Sequence, residues 1–202
     1  MSFIPVRMFE NQIAEFYGAP YAVAVDCCTH GLELCLRYKQ EKFMISPKHT
    51  YLSIPMLADK LNIKRTFIDD EWKDYYYITD DIIDAAVYWK ENSYIENTFM
   101  VLSFQFKKHL SLGRGGMILT DNKEAAIELR KMAYDGRLNT DAPWSEQDIE
   151  TIGYHYYMTP ETANLGLHKF NDAICTKPKK WSYLDYPDLT KFKVFKKNIT
   201  NG

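Results

Sequence analysis

The stretch from Val101 to Thr120 constrains this chain more than any other. An apolar β run ends at Ser103, and a polar loop then carries the adjacent lysines Lys107 and Lys108. Gly113, Gly115 and Gly116 let the backbone turn into a second β run ending at Thr120. A lysine held in such a loop can lie inside the fold. Burial beside apolar groups lowers a lysine's pKa toward neutrality, and only the unprotonated amine attacks an aldehyde. The alternative is a surface loop with a solvated basic pair, and spacing alone admits both.

The remaining sequence reads as strands alternating with helices. Phe9, Ile13 and Phe16 recur at helical spacing between Val6 and Tyr17, and Gly18-Ala19-Pro20 ends that helix. Tyr21 to Val25 is a continuous apolar run, the mark of a strand buried on both faces. Asp26-Cys27-Cys28-Thr29 leads into a helix from His30 to Arg37. A strand, a short turn and a helix with unpaired first amides favour an anion, although Thr29 could equally just cap its helix. Phe43 to Pro47 is the next strand, a helix follows from about Leu52 to Leu61, and Arg65 to Asp69 is a further strand. This alternation predicts an α/β fold with a mostly parallel, doubly wound sheet, whose ligands sit at the C-terminal strand ends. Ser46, Asp69, Ser103 and the Asp26 turn fall at such ends. Ile82 to Ala86 fits two assignments, a strand end or part of a helix from Asp80 to Lys90. Asp121 is the expected N-cap of a helix reaching about Tyr134. A long, polar, mobile loop spans Leu138 to Thr151, and Pro160 opens a last helix.

With 202 residues, 46% of them hydrophobic and 15% aromatic, the chain can bury one good core and is expected to form one main domain. A net charge of -2 gives no general attraction to nucleic acid or anionic membrane, despite local basic character at Lys177–Lys180 and Lys191–Lys197. The start, Met1 to Arg7, lacks a signal-peptide apolar core, and no run is long enough to span a bilayer, so a soluble cytoplasmic protein is expected. Cys27, Cys28, Cys35 and Cys175 make no metal spacing and are expected as reduced thiols. Trp181, Tyr183, Leu184, Tyr186, Leu189 and Phe192 mark a tail that packs on something.

Several of these segments together resemble the DegT/StrS-type sugar aminotransferases, which depend on pyridoxal phosphate. The run Ser103-Phe104-x-x-x-Lys108-x-x-Ser111-x-Gly113-x-Gly115-Gly116 looks like the family's lysine loop. Phe9-Glu10, the Gly18 to Val25 run and Thr29 before a Leu-rich helix resemble its N-terminal helix, first strand and phosphate turn. Pro47-Lys48-His49-Thr50-Tyr51 resembles its Pro-x-x-Thr-aromatic turn. Ile82-Ile83-Asp84-Ala85-Ala86 resembles its Glu-Asp-x-Ala strand end, and Gly153-Tyr154-His155-Tyr156-Tyr157-Met158 its Gly-Tyr-Asn-Tyr-Arg-Met segment.

The resemblance implies the large domain of a type I pyridoxal-phosphate enzyme over residues 1–170, with 171–202 a C-terminal tail too short for the family's small domain. About one strand-helix unit is missing between Asp70 and Asp84. Lys108, rather than Lys107, would carry the cofactor, and Asp84 would pair with the pyridine nitrogen. Tyr51, or alternatively His49, would stack on the ring, while Thr29, His30 and Ser103 would hold the phosphate. His155 would reach that phosphate from the second subunit of a homodimer. The implied reaction moves an amino group from an amino acid donor to a keto-sugar on a nucleotide carrier. Departures at Cys28, Val87, His155 and Tyr157 also suit a scaffold that has lost turnover, or one piece of a split enzyme.

Overall fold

Alternation along each strand sorts the core onto the two faces of one sheet. In the computed structural model, which describes residues 3–138, 140 and 142–196, the strands are β1 (Tyr21–Val25), β2 (Phe43–Pro47), β3 (Lys64–Ile68), β4 (Tyr76–Tyr77), β5 (Ile82–Asp84), β6 (Phe99–Ser103) and β7 (Gly116–Thr120). The helices are α1 (Ile4–Tyr17), α2 (Cys28–Tyr38), α3 (Ser53–Leu61), α4 (Lys123–Ala133), α5 (Pro160–Cys175) and the short α6 (Lys193–Lys196). Met1, Ser2, Asn139 and Asp141 of the long loop, and Lys197 of the basic tail lie outside the described residues.

Val23, Val25, Val101 and Ile118 pack with Leu32 and Cys35 of α2 and Leu129 of α4. Their neighbours Ala22, Ala24, Met100, Leu102, Met117 and Leu119 face Phe9 and Ile13 of α1 and Ala163 and Phe170 of α5. The result is three layers, with α1 and α5 below the sheet and α2 and α4 above it.

The strand order is β1-β7-β6-β5-β4, with β2 and β3 paired separately beside it. The sheet is more mixed in direction than alternation alone implies. Pairings β5–β6 and β2–β3 are parallel, while β1–β7, β6–β7 and β4–β5 are antiparallel. The reason lies in the connections. No helix separates β6 from β7, so the chain returns directly and antiparallel, whereas a parallel neighbour needs a crossover. Ile82 to Asp84 is a strand, so the helix from Asp80 to Lys90 does not form. Between β3 and β5 only the two-residue β4 intervenes, and Ile45 N donates to Ile78 O at 2.9 Å across the seam. At α4 the N-cap is Asn122, one residue later than expected. Its side chain accepts from Ala125 N at 2.9 Å, while Asp121 accepts from Asn97 N at 2.6 Å.

One buried carboxylate ties three elements together. Glu10 of α1 accepts from Ala24 N of β1 at 2.8 Å and from Arg130 of α4 at 3.1 Å. Burial raises its pKa, with Arg130 and the Ala24 amide opposing that rise. Glu10→Ala would strand a buried amide and remove the carboxylate partner of Arg130, leaving its bond to Ala22 O. The expected loss is about 3 kcal/mol, read as a lower denaturant midpoint at unchanged m-value.

Candidate active site

The chemistry-bearing residues meet where α2 begins and β5 and β6 end. β1 delivers Asp26 and Cys27, and Cys27 is the N-cap residue of α2, without a side-chain cap bond. Thr29 therefore lies in the first turn and does not cap. Its hydroxyl pairs with Ser53 Oγ at 2.7 Å. With no side chain closing the helix start, the first-turn amides remain available to an acceptor. The turn is pressed onto β7: a Cβ added at Gly116 would come within 2.6 Å of the backbone of Cys27 and Cys28. Only glycine permits that approach.

His30 faces back onto this turn. Its Nδ1 lies 2.7 Å from Asp26 Oδ1, and its ring stacks on Tyr156 at 3.7 Å. Arg114, from the glycine-rich end of the lysine loop, reaches Asp26 Oδ2 at 2.7 Å. Desolvation opposes ionisation of both His30 and Asp26, yet their contacts prevail. His30 is raised to about 9 by Asp26 and the Cys27 thiol, and Asp26 is lowered by His30 and Arg114. His155 bonds Asp135 at 3.1 Å and lines, with Asp26, Arg114, Tyr157 and Thr159, a cleft of about 270 Å³.

Lys108 and Asp84 form the deep part of the site. The loop after β6 is fixed by Phe104 N to Gly115 O at 2.9 Å, Leu112 N to Phe104 O at 2.9 Å and Lys108 N to Gln105 O at 2.8 Å. It leaves Lys107 exposed and Lys108 half-buried. Burial lowers the Lys108 pKa, against the pull of Asp84 and the Cys28 thiol. Asp84 is 4% exposed and shifts the other way: burial raises it, while Tyr76, Ala86 N, Lys108 and Cys28 hold it down. Both directions say that burial outweighs attraction between the two groups. Asp84 Oδ1 accepts from Ala86 N at 2.9 Å, with Cys28 Sγ at 3.9 Å, and Oδ2 accepts from the Tyr76 hydroxyl, which also pairs with Thr50.

Ser103 closes β6, and its Oγ lies 3.4 Å from Gln105 N. Tyr51 is 57% exposed, and His49 is held by the tail through Tyr186 O at 2.9 Å. The structure thus brings Lys108, Asp84, Cys28 and Tyr76 together, and sets Thr29 and His30 at the helix start. On sequence grounds Tyr76 and Arg114 carry no role, and Trp181 and Tyr186 mark only a tail that packs on something. Tyr76 stands in the middle of a tyrosine triplet, and Arg114 sits inside a glycine run, where an arginine is otherwise a solvated residue.

A half-buried amine and a buried carboxylate thus lie near an uncapped helix start in a three-layer α/β domain. The sequence matches the DegT/DnrJ/EryC1/StrS aminotransferase family over residues 4–95 and 93–185, and the chain belongs to that family. It is 25% identical to the Bacillus subtilis spore coat polysaccharide biosynthesis protein SpsC over 81% of this chain. Its fold is similar to that of AtS13 from Actinomadura melliaura, with a TM-score of 0.73 and 20% identity, covering 84% of this chain and 60% of that one. It is also similar to Helicobacter pylori PseC, an aminotransferase of pseudoaminic acid biosynthesis. There the TM-score is 0.77 and the identity 12%, with 98% of this chain and 81% of that one covered. The chain spans 56% of the length of the curated relatives it matches.

The residues present fit pyridoxal phosphate: an amine of lowered pKa, a buried carboxylate, and an uncapped helix start beside a glycine that a Cβ would crowd.

Two measurements follow from these contacts. Because His30 is raised from 6.5 to about 9, its contribution to stability is complete below pH 6.5 and is lost as pH rises through about 9. In Asp26→Asn the His30 midpoint, followed by NMR, is expected to fall toward the ordinary value, flattening the stability profile across that window. Tyr76→Phe removes a donor from Asp84, so Asp84 takes up a proton more readily and supports the charge on Lys108 less. The pH at which Lys108 begins to react with an acylating reagent, mapped by mass spectrometry, is expected to drop. An unchanged onset would show that Tyr76 does not govern this pair.

Proposed function

We propose that this chain is the cofactor-binding large domain of a pyridoxal-phosphate-dependent aminotransferase that aminates a keto-sugar on a nucleotide carrier, taking the amino group from an amino acid such as glutamate. The observation that carries this reading is the Lys108 amine, its pKa lowered by burial and its neighbour the buried Asp84, in a chain of this family. Residues 1–170 form the cofactor-binding unit, with 171–202 a tail.

When bound, pyridoxal phosphate supplies an electron sink for the carbanion left when the donor's Cα loses its proton. Lys108 would hold the cofactor, and its Nζ would accept and return that proton; its lowered pKa favours the unprotonated amine. Asp84, held by Tyr76 and Ala86 N, would face the pyridine nitrogen, and as a carboxylate would favour its protonated form. Thr29, His30 and Ser103 would hold the phosphate, helped by the helix start and by a protonated His30. Tyr51 would stack on the ring. His155 acts from a second copy, and its side chain, 71% exposed, is free to face one, which supports a homodimer. A cytoplasmic setting agrees with four free cysteines, and no helix among the described residues is long and apolar enough to cross a membrane.

A second reading, a scaffold that has kept the fold and lost turnover, is favoured by one contact: Asp84 Oδ2 already accepts from Tyr76. The third, one piece of a split enzyme, agrees with a chain spanning 56% of its relatives. The test is the absorbance of the full chain with added pyridoxal phosphate, before and after borohydride. A visible band fixed by borohydride, lost in Lys108→Ala and kept in Lys107→Ala, is expected. No such band in the wild type overturns the transaminase reading for the chain alone. Activity regained on adding a partner polypeptide then separates the split enzyme from the scaffold.

A further inference from the structure

Residues 179–189 cross the front of the candidate site. Trp181 O accepts from Asp74 N at 3.1 Å, Tyr183 N donates to Trp72 O at 3.2 Å, and Leu189 N donates to Lys48 O at 2.8 Å. His49 Nδ1 lies 2.9 Å from Tyr186 O, and single ladder contacts join Lys73 to Ser182 and His49 to Asp188. The segment therefore lies across two stretches, 48–49 and 72–74, that flank the site.

Its rings point at the site's chemistry. The Trp181 ring centre is 5.4 Å from Lys108 Nζ, and Tyr186 packs against Trp72 at 5.6 Å and Trp181 at 6.1 Å. The Tyr186 phenol is pushed up by burial first, then by Asp84, Asp185, the Cys28 thiol and Tyr51. Trp181 thus stands by the Lys108 amine, with Lys179 Nζ 3.7 Å from the same ring centre, and Tyr186 stands in the field of the carboxylate.

The hold is modest. Leu189 is the segment's buried apolar side chain among the described residues, Leu184 is 76% exposed, and the Lys179–Asp185 pair at 2.6 Å is solvent-facing. A stretch fixed by a few backbone bonds and ring contacts opens at lower cost than the core it covers.

We infer that Trp181 and Tyr186 gate this site: they occupy the approach to Lys108 and Asp84, and a flat aromatic ligand enters only when the 179–189 segment lifts. The identity of that ligand rests on the function proposed above. Gating of this kind weakens apparent binding by the fraction of molecules that are open. It also selects ligands, because the entrant must replace an aromatic face over a cation as well as fill space. A flat ring carrying charge satisfies both demands.

The test uses the full chain with pyridoxal phosphate as probe. Hydrogen exchange at the Tyr183 and Leu189 amides is expected to speed up when the probe is bound at Lys108, the attachment site being read from the borohydride-fixed peptide. Stopped-flow association is expected to be about tenfold faster in Trp181→Ala and in Tyr186→Ala, equivalent to removing about 1.4 kcal/mol of closure. Binding seen only in these variants would also support the gate, with the wild type held shut. Binding at Lys108 with exchange unchanged or slowed, and association equal in all three proteins, overturns the gate and leaves the cofactor reading standing. No binding at Lys108 in any of them overturns both. Should a variant fail to fold, the wild-type exchange measurement decides alone.

Discussion

A carboxylate only 4% exposed at the end of an apolar strand must be supplied with donors, and the organisation of this site follows from meeting that need at Asp84. The backbone of Ala86, the Cys28 thiol and the Tyr76 hydroxyl converge on it from three segments, and Lys108 adds a cation at the edge. Each donor fixes an element. Cys28 pins the start of α2 against β5, and Tyr76 pins the short β4, with Thr50 behind it. Because the carboxylate is surrounded, Lys108 sits next to a charge that burial itself opposes. Burial lowers the amine's pKa against the pull of Asp84 and the Cys28 thiol, and the exposed Lys107 adds a smaller push in the same direction.

Much of this was legible in the sequence, and the physical reason differs by element. Strand β1 and the pair β6 and β7 show as continuous apolar runs because they are buried on both faces. The amphipathic helices show through their spacing, and α1 and α5 run where Phe9, Ile13 and Pro160 suggested. Periodicity could not decide Ile82 to Ala86, since three residues of strand satisfy a helical period as well. Strand direction was also beyond it: the antiparallel return of β7 depends on the absence of a helix in the lysine loop, which the glycines hint at but do not dictate. The cap of α4 moved by one residue because Asp121 and Asn122 are chemically equivalent candidates, and backbone geometry chose between them.

Within the site, the family resemblance, not spacing, pointed to Lys108 and Asp84, and long-range partners did not announce themselves. Tyr76 reaches Asp84 across a local hairpin, yet nothing in a run of three tyrosines says which one turns inward. Arg114 and Asp26 are far apart in the chain and meet only because β1 and β7 are neighbours. The tail's aromatic residues implied packing without implying where. Their destination over Lys108 depends on Trp72 and His49, residues of connecting segments with weak signals of their own.

The pairing of β1 with β7 has a kinetic side. Tyr21 lies opposite Thr120 and Val25 opposite Gly116, so this edge joins segments roughly a hundred residues apart in the chain. Loop closure of that length is entropically expensive, and such contacts form after the hairpin of β6 and β7, which is local. The turn at Cys27 is therefore expected to set against Gly116 after the lysine loop has taken shape. Chains caught before that step carry an unpaired β7 edge, an apolar strand with open backbone groups, and during synthesis that edge is the surface most in need of protection from other chains.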